Sequence, residues 1–121
     1  ADARHANGAN TWMYRFSWDS RAFDGQFGAA HALEIPFAFN TIDRPGVDVF
    51  LGPGEAPTAL ADTIHDAWIA FIRNGDPSTE TLGVWPTYDP ERRLVMDLDD
   101  GCCLLDDPEA DERRIWDGLV R

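Results

Sequence analysis

The sequence has no lysine, only two cysteines and no long apolar run. All ten positive side chains are Arg, and 22 acidic residues leave a net charge of −12 at pH 7. A chain this acidic repels phosphate backbones and anionic lipids, so we expect neither nucleic acid nor a membrane as a partner. The cysteines, Cys102 and Cys103, are neighbours and poorly placed to bridge each other. No disulfide framework is expected, which favours the cytoplasm, unless a signal peptide lies upstream.

What the chain has is a large apolar content for its size. Hydrophobic residues make up 44% of its 121 residues, including five Trp and seven Phe. This composition favours a packed core over disorder, although so short a chain leaves much of its surface exposed. We therefore expect residues 1–121 to form a single partial domain whose aromatic surfaces are covered by something else. Residues 1–10 are small and polar and predict a mobile lead-in.

Two segments have the clearest periodicity. Residues 11–18 alternate in character, which predicts a β-strand with one aromatic face formed by Trp12, Tyr14, Phe16 and Trp18. In residues 57–74 apolar side chains recur at spacings of three and four, which predicts an amphipathic helix. Pro57 suits its first turn and Gly75 its C-terminal cap.

Four further segments give weaker signals. Alternation predicts a short strand over residues 94–98. Residues 43–54, with two Pro and three Gly, are expected to be irregular, with room for a short extended piece over 47–51. The segment 31–39 favours a helical turn that Pro36 limits. The Asp107-Pro108 pair is typical of a helix start, with Asp107 as its cap. This helix would have an apolar side made of Ile115, Trp116, Leu119 and Val120. The expected fold class is α/β, with two or three strands and two main helices.

Three histidines are the candidates for catalysis. His5 lies in the polar lead-in, and His65 lies at the edge of the apolar stripe of the main helix, where a structural role is expected. His31 follows a predicted strand and a polar loop, and it comes directly after Gly28 and two alanines. α/β folds place ligand-facing groups on such loops. From position alone, both a functional and a structural role stay open for His31.

The string FGAAHALEIPFAF over residues 27–39 resembles the histidine segment of type-B carboxylesterases, which include bacterial para-nitrobenzyl esterases and cholinesterases. The Gly-x-x-His-x-x-Glu pattern of that family is matched by Gly28, His31 and Glu34. The preceding MYRFSW is similar to its Tyr-x-Phe strand. The later WIAFIRNGDPSTETLGVWPTYDP is similar to its Trp-x-x-Phe helix, Gly-x-Pro loop and Trp-Pro-x-Tyr turn. Order and spacing agree over most of the chain.

The resemblance implies that the chain is the C-terminal portion of an α/β-hydrolase, with His31 as the base of its catalytic triad. Such an enzyme hydrolyses carboxylic esters and needs no cofactor or metal. The order nucleophile, acid, histidine places the histidine late in the chain. It also implies that residues 11–18 form an interior or near-edge strand of a mostly parallel sheet and that the helix from Pro57 covers one face of that sheet. Residues 94–98 would then be a late edge strand.

The sequence does not contain the rest of the catalytic machinery. It has neither a Gly-x-Ser-x-Gly motif nor a Gly-Gly pair for an oxyanion loop, and the acid of the family lies upstream of the histidine. We therefore expect the isolated chain to be inactive. The alternative is a non-enzymatic truncated module that associates with itself or pairs with the missing N-terminal part. Glu34 is expected to be structural, and the acidic run from Asp97 fails the EF-hand spacing.

Overall fold

The computed structural model describes residues 1–116 and 119, and its centre is a three-stranded sheet in the order β1-β2-β3. Strand β1 (Tyr14–Phe16) pairs in parallel with β2 (Val95–Leu98), and β2 pairs antiparallel with β3 (Cys103–Leu105). The expectation that residues 94–98 form an edge strand is wrong for this part of the fold. The unpredicted β3 covers the outer edge of β2, so β2 is the central strand.

Strand β1 is shorter than the alternation predicts, although its hydrogen bonding to β2 continues at both ends. Met96 N–H donates to the carbonyl of Met13 at 2.9 Å, and Ser17 N–H donates to the carbonyl of Leu98 at 3.1 Å. At Thr11 the chain has left β2, because its carbonyl accepts from Tyr88 N–H at 2.7 Å instead.

The predicted aromatic face of β1 is present, and each of its rings meets an aromatic ring on a helix. Trp12 meets Phe71 and Tyr14 meets Trp68, with ring centroids 5.6 and 5.1 Å apart. Phe16 and Trp18 both pack on Phe37, at 5.0 and 5.3 Å. The core continues into the main helix and β2 through fully buried residues, among them Ile64, Met96 and Leu98.

The main helix, α4 (Thr58–Asn74), agrees with the prediction to within one residue. Pro57 is its N-cap, and Gly75 ends it in the left-handed region, with its N–H donating to the carbonyl of Phe71 at 2.8 Å. Leu60 and Ile64 on its apolar stripe are buried, whereas Phe71 and Ile72 of the same stripe are exposed. The stripe is therefore covered only along part of its length.

Two short helices replace segments that the sequence predicts differently. Residues 48–51 are not extended but form α3 (Asp48–Leu51), which turns Leu51 into the core. The turn expected from residue 31 begins later, as α2 (Ile35–Ala38). Pro36 does not limit this helix, because it lies in the first turn, where no intrahelical N–H is needed.

The N-terminal segment is held by an ionic contact to the chain just before β2. Residues 1–10 contain α1 (Asp2–Ala6); Asp2 accepts hydrogen bonds from Tyr88 and Arg93, and the mobility of this segment stays a prediction. Burial and the Asp2 carboxylate raise the pKa of Tyr88 to about 12.

The second predicted helix forms as α5 (Ala110–Trp116), but it begins later than predicted, so Asp107 is not its N-cap. Val120 of its predicted apolar side lies outside the described residues. The Asp107 carboxylate accepts from the guanidinium of Arg113 at 2.8 Å. On the predicted apolar side, Ile115, Trp116 and Leu119 are exposed. In residues 1–116 and 119, no helix is long and apolar enough to cross a membrane.

Candidate active site

His31 lies on the loop between β1 and α2, and it is exposed. After β1 the chain folds back on itself, because Ser20 N–H donates to the carbonyl of Gly28 at 3.3 Å in an isolated antiparallel bridge. This bridge closes the loop of residues 20–28 and fixes the chain three residues before His31.

The backbone on both sides of His31 turns sharply. Gly28 has a φ of 57°, and Ala30 N–H donates to its carbonyl at 3.0 Å. Ala32 has a φ of 68°, a left-handed conformation that costs a residue with a side chain about 1 kcal/mol or more. Beyond it, Leu33 is buried in the core. The loop thus has anchored ends and presents His31 to the outside.

An apolar cavity of ≈ 370 Å³ lies beside His31. Its wall comes from three segments: the loop before α2, α2 itself, and the segment from Thr41 into α3. Two phenylalanine rings in it, Phe27 and Phe50, are neighbours with centroids 6.1 Å apart. The remaining lining residues are Ala32, Leu33, Ile35, Pro36, Thr41 and Val47. An exposed imidazole next to such a cavity can exchange protons with a bound apolar molecule that carries a reactive polar group.

The described residues give the imidazole of His31 no hydrogen-bond or ion-pair partner. The chain's three serines do not line this cavity. The hydroxyl of Ser20 donates to the carbonyl of Phe50, and that of Ser78 accepts from Trp85 N–H. Within the part of the chain that the structure describes, His31 therefore has no nucleophile or carboxylate to work with.

The other residues that the sequence analysis considered for catalysis or metal binding lie away from this cavity or make structural contacts. His5 is exposed on α1. His65 is half-buried, and its Nδ1–H donates to the carbonyl of Ala38 at 2.9 Å, which links α4 to α2. The carboxylate of Glu34 makes no hydrogen bond to a described residue, but its charge contributes to raising the pKa of Tyr14, which burial raises first. Asp97 pairs with Arg15.

No group of three His, Cys, Asp or Glu among residues 1–116 and 119 is arranged to hold a metal ion.

Sequence reasoning missed two contributors to the site, Ser20 and Phe50. Serine in a polar loop is normally solvent-exposed, so nothing in the sequence marks Ser20 as buried. Phe50 was missed because residues 47–51 were predicted to be extended.

The comparisons with known proteins agree with this architecture. A family profile described as the carboxylesterase family matches residues 1–116. The chain belongs to the carboxylesterase family. It is 37% identical over 106 residues to the para-nitrobenzyl esterase of Bacillus subtilis (strain 168), a match that covers 88% of this chain and 21% of that protein. It is 40% identical over 91 residues to the phenmedipham hydrolase of Pseudarthrobacter oxydans, covering 72% of this chain and 18% of that protein.

Solved structures confirm the fold class. The Geobacillus stearothermophilus carboxylesterase superposes with a TM-score of 0.80 at 37% identity, covering 95% of this chain and 23% of that one. A para-nitrobenzyl esterase superposes with a TM-score of 0.78 at 36% identity, covering 90% of this chain and 22% of that one. The chain is thus an α/β segment of a type-B carboxylesterase of the α/β-hydrolase fold. It spans about a fifth of the length of the relatives it matches.

Proposed function

We propose that this carboxylesterase-family chain is part of a serine carboxylesterase in which His31 is the general base of the catalytic triad. The observation that carries the proposal is the placement of His31: an exposed imidazole on an anchored loop after β1, beside an apolar cavity. The membership of the chain in the family supports it. One relative is named para-nitrobenzyl esterase, which supports carboxylic esters as substrates.

The proposed reaction uses His31 twice. Its neutral imidazole accepts the proton of a serine hydroxyl as that oxygen attacks the ester carbonyl. The imidazolium then donates the proton to the departing alkoxide, and water repeats the sequence to release the acid. An unperturbed imidazole has a pKa of about 6.5, so histidine suits both transfers near neutral pH. The serine, the acid and the oxyanion donors would come from the rest of the protein, with which this chain is proposed to pair.

A second candidate function, a module that associates without catalysis, has one observation in its favour. An apolar groove of ≈ 430 Å³ lies between the start of β1 and α4. Aromatic and aliphatic side chains line it, including Trp12, Tyr14, Trp68, Phe71 and Ile72. A surface of this kind favours association over exposure to water. Whichever of the two functions is correct, we propose that the 121-residue chain alone hydrolyses no ester. We also propose that it resides in the cytoplasm, because its two cysteines form no disulfide framework.

The test compares histidine variants in the whole protein with a chromogenic para-nitrophenyl ester. His31→Ala should lower kcat by roughly 10³-fold or more, the usual cost of losing a triad member. His5→Ala is the matched control, since His5 is exposed and its side chain has no partner among the described residues; it should keep full activity. An active His31→Ala enzyme would refute the triad role, and hydrolysis by the isolated chain would refute its predicted inactivity.

A further inference from the structure

Ser20 is a buried polar residue that the proposed reaction does not use. It is 1% exposed. Its hydroxyl donates to the carbonyl of Phe50 at 2.5 Å and accepts from the N–H of Ala22 at 3.0 Å. The hydroxyl therefore both donates and accepts: the donated bond reaches a segment 30 residues away along the chain, and the accepted bond comes from within its own segment.

The backbone around Ser20 makes the same connections. Ser20 N–H donates to the carbonyl of Gly28 at 3.3 Å, and Arg21 N–H donates to the carbonyl of Leu51 at 3.0 Å. Three segments therefore meet at Ser20: the chain leaving β1, the loop that leads to His31, and the end of α3. We call this set of contacts the serine clasp, defined by Ser20, Arg21, Gly28, Phe50 and Leu51.

At Gly52, next to the serine clasp, two backbone segments are in close contact. A Cβ added to Gly52 would lie 2.2 Å from the backbone N of Ala22 and from the backbone C of Arg21, so the two backbones touch here. Arg21 extends the contact, because its Nη2 donates to the carbonyl of Glu55 at 2.6 Å. The segment after α3 is thus in close contact with residues 20–22 and is joined to them by the Arg21 hydrogen bond.

The serine clasp is directly connected to the candidate site. Phe50, whose carbonyl it holds, lines the cavity together with His31. Gly28, whose carbonyl it also holds, lies between Phe27 and His31, and Phe27 lines the same cavity. One buried serine therefore fixes the histidine loop and the Phe50 wall relative to each other.

We propose that Ser20 is a positioning residue that sets the separation between His31 and the Phe50 wall of the substrate cavity. This rests on the proposed function of His31. Removing the hydroxyl leaves the Phe50 carbonyl without the donor that the buried Ser20 supplies, so we expect the loop to shift. Misplacing a catalytic group by about 1 Å can cost 10²-fold in rate.

The test measures the whole protein with para-nitrophenyl esters, with rates expressed per active site from the acyl-enzyme burst. Ser20→Ala should lower kcat by roughly 10- to 100-fold. It should also raise KM more for a butyrate than for an acetate ester, because the Phe50 wall is released. Ser20→Thr keeps the hydroxyl and should restore most of the rate. Gly52→Ala, which pushes the same backbones apart, should reproduce the Ser20→Ala kinetics.

The matched control is Ser78→Ala, which deletes a 3.0 Å hydrogen bond from Trp85 N–H in a different turn. It should leave kcat per active site unchanged. If Ser20→Ala and Ser78→Ala behave alike, Ser20 is only structural and the proposal is overturned.

Amide hydrogen exchange separates this proposal from the proposed function, because it does not depend on the chemistry of His31. Ser20→Ala, but not Ser78→Ala, should speed exchange in residues 28–33 and 50–52. Unchanged exchange there would overturn the clasp. A fully active His31→Ala enzyme would overturn the proposed function instead, while the exchange result still decides whether the clasp exists.

Discussion

Arg15 and Asp97 face each other across β1 and β2, and the guanidinium Nε lies 3.0 Å from the carboxylate Oδ1. The carboxylate is well shielded, at 16% exposure, and the guanidinium is half-exposed, at 38%. Arg15 also contacts Glu109, with Nη1 3.0 Å from Oε1, so it ties the segment before α5 to the sheet. The hydrogen bond from Arg15 lowers the pKa of Asp97, against the opposing effect of burial.

The Arg15–Asp97 pair should make the free energy of unfolding of the chain depend on pH. A carboxyl whose pKa is lower in the folded chain stabilises the fold above its unfolded pKa, about 3.9, and this contribution is lost as pH falls through the lower folded pKa. Asp97→Asn should cost about 1 kcal/mol at pH 7, a modest value because Arg15 is partly solvated. Urea unfolding of the chain at pH 7 and near pH 3 measures it, and the difference from wild type should shrink at the lower pH. The exposed Asp100→Asn should change nothing at pH 7; a pH-independent cost for Asp97→Asn would contradict the prediction.

Phe37 should be the most sensitive aromatic residue of the core. It is fully buried, and its ring contacts both Phe16 and Trp18. Phe37→Ala should lower the free energy of unfolding by about 3–5 kcal/mol, through lost burial and the cavity that remains. Phe39, two residues later, is 71% exposed, so Phe39→Ala should stay within about 0.5 kcal/mol in the isolated chain. Urea unfolding of both variants checks this, and equal costs would show that the core is not organised around Phe37.

The indole of Trp12 should stabilise the start of β1 through one hydrogen bond. Its Nε1–H donates to the carbonyl of Trp85 at 2.9 Å and so joins β1 to the turn after α4. Trp12→Phe keeps most of the ring but leaves that carbonyl unpaired, which should cost about 1–2 kcal/mol. Trp68 is the control, because it is also half-buried but its indole N–H has no partner among the described residues. Trp68→Phe should cost clearly less in the same thermal unfolding experiment.

Periodic segments were the predictable part of the fold. The aromatic alternation of residues 11–18 indicated which rings share a face, and the apolar stripe of α4 indicated its bounds to within one residue. Strand β3 could not be found this way, because Cys103–Leu105 is three residues long and has no alternation to detect. Residues 48–51 were mispredicted because Val49 and Phe50 favour strands locally. In the structure, bonds from Ser20 and Arg21 to the carbonyls of Phe50 and Leu51 accompany the helical turn, so tertiary contacts outweigh local preference.

The candidate site was predictable only in part. His31 stood out through the residues around it, which carry the family resemblance; the structure places it on an exposed loop, and its catalytic role stays a proposal. The cavity wall and the serine clasp depend on contacts between segments about 30 residues apart, and no local pattern encodes them. Serine, glycine and phenylalanine are ordinary residues in a loop; their packing against one another gives them their role.

Gly52 should tolerate alanine less well than Gly75, because of both its backbone conformation and the space around it. Gly75, with φ 74° and ψ 16°, is in the left-handed helical region, where alanine costs about 1–2 kcal/mol. Gly52, with φ 80° and ψ −175°, is in a region open essentially only to glycine, where a side chain costs about 1–3 kcal/mol. A Cβ at Gly75 meets nothing within 4 Å, whereas at Gly52 it would lie 2.2 Å from backbone atoms of residues 21 and 22. Backbone cannot swing aside as a side-chain tip can, so Gly52→Ala must also displace the end of α3 from Ser20. We expect Gly52→Ala to lower the free energy of unfolding by at least ~1 kcal/mol more than Gly75→Ala. Urea unfolding of the two variants measures the difference directly, and equal costs would mean that the approach at Gly52 is looser than the 2.2 Å separation requires.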